Sequence, residues 1–341
     1  MEYYKLGHIK TFELEITTFC NAFCGSCARN INGGELNPNL TPAHMDFETW
    51  KCIVTQENLK FIKCINFNGN LGDCSMHPQF LDMLEYLYTI KPELTITMST
   101  NGGARNIKFW KELAHILSKF RSHQVNFSID GNKETNHLYR RGVVWEKLME
   151  NANAFNNAGG ISRWWCIVFD HNKDQIDELM ALAGENGFGA FQTRVNHTPE
   201  GIYMKKYKNF DEFHISSPSN KVWKKLYWGK IFRFKHMNII NGNIFSPVFR
   251  NENPYDCEFG ERGILSIDNH GRAWPCCYFY AQSINPNSPE KITIEKYKLF
   301  NSFKVNNLNK ILKEFRKDLL ESWTTTPHFV CQRCTQKFQL K

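Results

Sequence analysis

Cys20-Asn21-Ala22-Phe23-Cys24-Gly25-Ser26-Cys27 sets three thiols on one short stretch. The run before it, Phe12-Glu13-Leu14-Glu15-Ile16-Thr17, alternates apolar and polar residues and predicts a half-buried strand. The thiols therefore fall on a compact loop at the C-terminal end of a strand. A C-x3-C-x2-C loop brings three thiolates to one metal centre. On a four-iron cubane, three thiolates leave one iron without a protein ligand, where a small molecule can bind. Open coordination of that kind separates catalytic metal sites from closed structural ones. Structural zinc is the competing reading of the loop, and it asks for a fourth ligand.

The 341 residues set a prior of two domains, and 42% hydrophobic content is ample for a packed core. No apolar run is long enough to span a membrane, and Met1-Glu2-Tyr3-Tyr4-Lys5 is no signal peptide. Twelve cysteines without a secretory signal predict reduced thiols in a cytoplasmic protein, serving metals rather than disulfides. The net charge of +8 is concentrated: residues 201–250 hold ten Lys/Arg against two Asp/Glu, with eleven aromatic residues among them. This segment has two readings. It is a connector whose aromatics pack on the main domain, or it lines an opening for an anionic partner such as a phosphorylated metabolite, a nucleotide-linked sugar, an RNA or an acidic peptide. Interleaved Lys221, Trp223, Lys224, Lys225, Tyr227, Trp228 and Lys230 resemble a surface that stacks bases and binds phosphates.

Periodicity organises residues 1–200 as alternating strands and helices. Strands are expected at Lys63–Phe67, Leu94–Met98, Val125–Ile129, Trp164–Phe169 and Ala190–Val195 after the first one. Helices are expected at Asp46–Leu59, after Pro78, over Ile107–Phe120, Trp145–Asn157 and Gln175–Asn186. Such spacing means β/α units on a parallel sheet, and six units predict an incomplete barrel. The turns of chemical character all follow strand C-termini, the edge where parallel α/β folds place active sites: Cys20–Cys27, Gly69–Asp73, Ser99–Gly102 and Ser128–Gly131.

Beyond residue 250 the cysteines return as Cys257, Cys276, Cys277, Cys331 and Cys334. Gly263–Trp274 reads as a hairpin with an Asn-His-Gly turn, Lys310–Glu321 as a helix, and Cys331-Gln332-Arg333-Cys334 has metal-knuckle spacing. The expected fold class is thus α/β, a partial (β/α)6 barrel over residues 1–200, a basic aromatic connector at 201–250, and a small cysteine-rich extension at 251–341 built from a β-hairpin plus a helix.

The loop Cys20–Cys24–Cys27 resembles the cluster motif of the radical S-adenosylmethionine superfamily, and further motifs follow in order. Leu71-Gly72-Asp73 is similar to the Gly-Gly-Glu motif whose backbone holds the cofactor's methionine amino group. Ser99-Thr100-Asn101-Gly102 is similar to the third-strand motif, and Ser128-Ile129-Asp130-Gly131 followed by Tyr139-Arg140-Arg141 to the fourth-strand motif and its later arginine. The resemblance implies a catalytic 4Fe-4S cluster on Cys20, Cys24 and Cys27. It places S-adenosylmethionine on Gly72, Asp73, Ser99, Asn101, Ser128, Asp130 and Arg140, and it calls for an external one-electron reductant such as flavodoxin or ferredoxin. Two departures stand out. Ser26 occupies the place, before the third cysteine, of a usually aromatic residue near adenine, and the Gly-Gly-Glu position is altered.

The C-terminal region resembles the SPASM/twitch extension of one branch of that superfamily. It implies a second, auxiliary 4Fe-4S cluster on Cys257, Cys276, Cys331 and Cys334; on spacing alone a four-thiolate zinc site is the alternative. Cys277 reads as a buried bystander, with replacement of Cys276 as a ligand or hydrogen donation as its alternatives, while Cys52, Cys64, Cys74 and Cys166 read as core thiols. His171 and His197 near strand ends read as satisfied structural histidines, with a role as proton acceptor as the alternative; neither is assigned as a catalytic base.

The resemblance implies reductive cleavage of S-adenosylmethionine to a 5′-deoxyadenosyl radical, which takes hydrogen from a substrate C–H. The expected substrate is a small sugar-like or phosphorylated metabolite that is oxidised or epimerised. Peptide or RNA modification is the second reading, and a non-catalytic iron–sulfur electron carrier the third. No membrane partner is expected.

Overall fold

The computed structural model describes residues 3–195, 201–218, 231–234 and 257–332. Six strands follow the expected order: β1 (Thr11–Leu14), β2 (Cys64–Phe67), β3 (Thr95–Thr100), β4 (Ser122–Ser128), β5 (Ser162–Val168) and β6 (Ala190–Val195). Each pairs in parallel with the next. Parallel pairing needs a crossover between strands, and helices supply it. In Ile107–Ser118, Trp110, Leu113, Ala114 and Leu117 recur at helical spacing and are buried, while the side chain of Asn106 caps the first turn by accepting from Phe109 N. The expected helix Asp46–Leu59 is two helices, Phe47–Ile53 and Gln56–Leu59. Thr55 breaks it: its hydroxyl accepts from Asn58 N at 3.1 Å and starts a new helix instead of continuing the old one.

Large aromatics fill the layer between sheet and helices. Trp50, Trp110 and Trp164 are fully buried, and each indole N–H finds a backbone carbonyl: Met83 at 3.1 Å, Ala104 at 3.1 Å and Ile129 at 3.0 Å. Burial of a tryptophan is tolerable on those terms.

β1 is buried along its whole length, not half-buried, and Glu13 and Glu15 are both 3% exposed. The polar side of its alternation faces the barrel lumen rather than water. One register row across five strands, Ser266–Glu13–Asn66–Thr97–Gln124, is polar throughout and buried. Its members satisfy one another: Ser266 donates to Glu13 at 3.1 Å and Thr97 to Asn66 at 2.8 Å. Barrel interiors are commonly filled with branched apolar side chains; this one is not.

Five described strands come from later in the chain. β7 (Ile202–Met204) and β8 (Phe213–Ile215) form an antiparallel hairpin, and β9 (Ile231–Arg233) pairs antiparallel with β6 at one sheet edge. β10 (Ile264–Ile267) pairs in parallel with β1 at the other side, and β11 (Ala273–Trp274) closes the expected Asn-His-Gly hairpin on it. The described sheet therefore reads β11-β10-β1-β2-β3-β4-β5-β6-β9. The C-terminal extension contributes to the barrel's own sheet because Ile264-Leu265-Ser266-Ile267 is buried on both faces and needs cover on both. The helix expected at Lys310–Glu321 runs from Leu308 to Thr324 and packs Ile311, Phe315 and Leu319 inward.

Candidate active site at the C-terminal edge of the sheet

The cysteine loop folds as turns directly after β1. Cys27 N donates to Cys24 O at 3.2 Å and Asn30 N to Cys27 O at 3.0 Å. Arg29 stitches the loop back to the strand end, Nε to Thr18 O at 2.9 Å. The β7–β8 hairpin lies against it: a side chain at Gly25 would meet Met204 Sδ at 2.8 Å. The buried guanidinium of Arg141 donates to Gly33 O and to Lys205 O, holding loop and hairpin together. This part of the 201–250 segment is thus a packed support. Residues 219–230, which carry most of the Lys/Trp/Tyr pattern, lie outside the described residues.

All three thiols line one cavity of about 290 Å³, together with the expected Gly72, Asp73, Ser99, Asn101, Ser128 and Arg140. Burial pushes the thiols of Cys20 and Cys24 above their ordinary range and Cys27 up to about 12. A nearby cation is what makes such groups thiolates. Polar N–H groups are already aimed at the sulfurs: Ala22 N and Asn101 Nδ2 approach Cys20 Sγ at 3.4 and 3.6 Å, and Arg140 Nη1 approaches Cys24 Sγ at 3.5 Å. Hydrogen bonds to cluster sulfurs are a recognised feature of iron–sulfur sites. The donor set fits an iron–sulfur cluster with three protein ligands.

The glycine turn after β2 is held by a residue that the sequence reading passed over. Glu15 accepts from Asn70 N at 2.9 Å, Leu71 N at 3.2 Å and Gly72 N at 2.8 Å. At Gly72 the backbone comes so close that an added Cβ would sit 2.0 Å from Thr17 O, which requires glycine. Asp73 stands where the resembling motif has glutamate. It turns inward and accepts from Ser75 N at 3.0 Å, Thr100 Oγ1 at 2.9 Å and Asn101 N at 2.8 Å. It joins the β2 turn to the β3 turn. Asn101 passes the restraint on, donating to Asn21 Oδ1 at 2.9 Å in the cysteine loop.

Asp130 does not reach the cavity. Its carboxylate is fully buried, accepts from Ile167 N at 2.6 Å and pairs with Arg140 Nε at 2.5 Å. It orients Arg140, which does line the cavity. Near Ser26 the structure places an aromatic ring from another element: the Ser26 hydroxyl meets the phenol of Tyr139, whose ring packs on Phe169 at 4.6 Å. Tyr139 lines the cavity, as do Trp165 and Arg194 from β5 and β6, with the Arg194 guanidinium 4.3 Å over the Trp165 ring. Tyr139 stands beside the arginine of the later motif, whereas Trp165 and Arg194 carry no local motif. Period-two placement on the lumen face, at the C-terminal ends of their strands, is the signal that would have found the last two.

His171 is stacked on Phe169 at 5.4 Å and edge-on to Phe213, away from the cavity lining. His197 lies outside the described residues. Cys64, Cys74 and Cys166 are buried as expected for core thiols, and Cys52 is half-buried.

The second cysteine set gathers around Tyr4. Burial, and then the thiols of Cys257, Cys276 and Cys331, push the Tyr4 phenol well above its ordinary value; Cys276 is raised by burial and by Cys277, Cys257 and Cys331. Gly260 N donates to Cys257 Sγ at 3.3 Å and Trp323 Nε1 to Cys331 Sγ at 3.4 Å. Cys276, not Cys277, is the buried member of the pair. Cys334 lies outside the described residues; the other three expected thiols lie within electrostatic reach of one another.

Known proteins resemble this chain along much of its length. A tungsten-containing aldehyde ferredoxin oxidoreductase cofactor-modifying protein of Pyrococcus furiosus is 23% identical over 331 residues, 93% of this chain and 81% of that protein. The mycofactocin maturase MftC of Mycolicibacterium smegmatis is 24% identical over 215 residues, 62% of this chain and 49% of that protein, so the match spans about half of MftC. SuiB of Streptococcus suis bound to S-adenosylmethionine superposes with a TM-score of 0.53 at 16% identity, covering 97% of this chain and 79% of SuiB. SuiB bound to its precursor peptide SuiA gives 0.51 at 17% identity, covering 94% and 66%. The solved structures establish the fold. A family model for the Radical SAM superfamily matches residues 14–183, which contain the cysteine loop, the glycine turn and both later motifs. With that match laid over three thiols at a sheet edge, the chain belongs to the radical SAM superfamily and is an enzyme of that class.

Proposed function

We propose that Cys20, Cys24 and Cys27 hold the catalytic 4Fe-4S cluster, that S-adenosylmethionine occupies the adjoining cavity, and that the enzyme takes a hydrogen atom from a C–H bond of a peptide. The observation that carries the cofactor reading is the single cavity shared by three thiols, the Gly72 turn, Asn101 and Arg140. When bound, the reduced cluster supplies the electron that cleaves S-adenosylmethionine to the 5′-deoxyadenosyl radical. The protein's own part is binding, orientation and electrostatics. Glu15 fixes the backbone of the Gly69–Asp73 turn toward the cavity. Arg140, held by Asp130, presents positive charge beside Cys24. Tyr139 lines the cavity next to Ser26 and would supply, beside a bound adenine, the ring that Ser26 lacks. The buried walls of β1 to β6 keep bulk water from the reacting atoms.

Cys257, Cys276, Cys331 and Cys334 are proposed as ligands of an auxiliary cluster. The donors at Cys257 and Cys331 and the gathering of three thiols around Tyr4 support it. Fully ligated, such a cluster would move electrons and not bind substrate.

The names of the relatives favour a peptide over the small sugar-like metabolite expected from sequence: one is a maturase, and SuiB is seen with a precursor peptide. The test is anaerobic. Reconstituted, reduced protein is given S-adenosylmethionine with either a deuterated peptide library or a deuterated sugar-phosphate mixture, and 5′-deoxyadenosine is analysed by mass spectrometry. Deuterium from the peptides is the expected result. Deuterium from the sugar phosphates alone overturns the peptide reading, and no 5′-deoxyadenosine at all overturns the whole proposal.

A further inference from the structure

The lumen below the cavity contains a guanidinium in an unusual position. Arg163 on β5 is 4% exposed. Its Nη1 donates to Gln192 Oε1 at 2.8 Å and its Nη2 to Gln124 Oε1 at 3.0 Å, both neutral amides. Its Nε is buried without a hydrogen-bond partner. Two other arginines of the described chain, Arg29 and Arg141, are also buried on neutral oxygens, yet neither has an N–H among the buried unpartnered atoms. Arg140 follows the common pattern of a buried cation, paired directly with Asp130.

The charged groups that act on Arg163 are also cations. Burial first, then Arg233 and Arg194, lower its affinity for the proton; among the described residues no carboxylate contributes. Strand register explains why these arginines are close. Ser99, Asn126, Arg163, Ala190 and Arg233 are partners along one row across β3, β4, β5, β6 and β9. Partners in a row point to one face, and Trp165 and Ile167, at two-residue steps from Arg163, line the cavity. Arg163 and Arg233 are thus lumen-side neighbours separated by two strand spacings, about 9.6 Å between backbones. Between them stands Ala190, whose methyl group fills little of the gap. Arg194, two such steps beyond Ala190 on β6, continues the cationic line to the rim. Trp165 Nε1 donates at 2.9 Å to the same Gln192 oxygen that receives Arg163, so the seat is tied to the cavity wall.

Among the described residues, this buried cation has neutral acceptors, an orphaned N–H and like-charged neighbours, and no anion pairs with it. We propose that Arg163 and Arg233 form an oxyanion seat that receives a carboxylate or phosphate group of the substrate. The seat rests on the reading of the adjoining cavity as the reaction site and adds to it a required charge on the substrate. Guanidinium forks bind both groups in a bidentate manner, and either source would supply the missing partner.

The test uses the full chain, anaerobically reconstituted, with inorganic phosphate and acetate as separate probes. Binding is followed by calorimetry at matched ionic strength, with chloride as the reference anion. One of the two anions is expected to bind the wild type, and Arg233→Gln to weaken it about tenfold or more, the loss of one charge-assisted hydrogen bond. Arg233 is exposed on an edge strand, so this variant tests the seat even if Arg163→Gln fails to fold. Saturation by phosphate alone points to a phosphorylated substrate; saturation by acetate points to a carboxylate, as a peptide carries. Lys108→Gln, on an exposed helix face far from the lumen, controls for diffuse surface charge. Equal binding by wild type and Arg233→Gln, or equal weakening by Lys108→Gln, overturns the seat. A wild type that makes 5′-deoxyadenosine yet binds neither anion also overturns it and leaves the proposed function standing. Anion binding without 5′-deoxyadenosine supports the seat while the proposed function fails.

Discussion

Arg140 binds Asp130 through Nε at 2.5 Å and turns Nη1 to the sulfur of Cys24 at 3.5 Å. One buried ion pair thereby sets the position of a charge beside a cluster ligand. Removing one partner of a buried pair leaves the other uncompensated and costs about 3–5 kcal/mol. Asp130→Ala should lose stability on that scale, measured by guanidinium unfolding, because it also strips the acceptor from Ile167 N. Asp130→Asn keeps an acceptor there and should lose less. Unfolding midpoints equal to wild type for Asp130→Ala would show that Arg140 finds another partner.

Iron analysis separates the two cysteine sets. The reconstituted wild type should hold about eight irons per chain, and the triple variant Cys20→Ala, Cys24→Ala, Cys27→Ala about four. That variant should form no 5′-deoxyadenosine. Replacing Cys257, Cys276 and Cys331 by Ala should likewise leave about four irons but preserve cleavage of S-adenosylmethionine. A wild type with about four irons rules out the auxiliary cluster.

Gly72→Ala would place a methyl group 2.0 Å from Thr17 O, a clash with backbone that cannot swing aside. The turn between Asn68 and Asp73 must shift, and the three N–H bonds to Glu15 with it. Affinity for S-adenosylmethionine, read by equilibrium dialysis, should fall by about tenfold or more, as expected for losing about 1.4 kcal/mol or more of contacts. Undiminished affinity means that the turn does not contact the cofactor.

The ring of Tyr139 and its hydroxyl have separable tasks. Tyr139→Phe removes the contact with the Ser26 hydroxyl and keeps the ring on Phe169. It should bind S-adenosylmethionine nearly as wild type does. Tyr139→Leu should weaken binding by about 1–3 kcal/mol, the range for stacking a base on an aromatic. Parallel loss in both variants would assign the effect to the hydroxyl instead.

His123 makes stability pH-dependent. Burial lowers its pKa from 6.5 to about 4, and its Nε2 accepts from Ile161 N at 3.0 Å, a role for the neutral ring. The unfolded chain therefore binds a proton, below pH 6.5, that the folded chain refuses until about pH 4. Stability is full above that window and falls as pH drops through it, by about 3 kcal/mol for this residue. His171, lowered to about 4 by burial, acts in the same direction. Urea unfolding at pH 7.5 and 5 should show the loss, and His123→Gln should reduce the difference between the two pH values.

Local chemistry was readable from sequence, and remote pairing was not. The cysteine loop, the Gly72 turn, Asn101 and Ser128 could be placed because each motif ends a strand, and parallel sheets bring strand ends to one edge. Glu15 looked like the watered face of a strand; its task is visible once β2 lies beside β1 and delivers three N–H groups to it. Trp165, Arg194 and Arg163 have no motif because they act through the lumen face, where neighbours are set by register. Asp130 stands behind Arg140 and outside the cavity lining, since a carboxylate at a strand end reads alike whether it meets a cofactor or an arginine. The partnership of β1 with β10 has no local signature at all.

That partnership has a consequence for biosynthesis. Glu13 and its lumen partner Ser266 are 253 residues apart, so on the ribosome the flank of β1 that β10 will cover stays bare until most of the chain has emerged. Loop closure over such a span is slow, and an open strand edge invites pairing with a second nascent chain. Lower temperature during synthesis, or chaperones that shield the emerging N-terminal half, should therefore raise the yield of intact protein more than any change at the cofactor cavity.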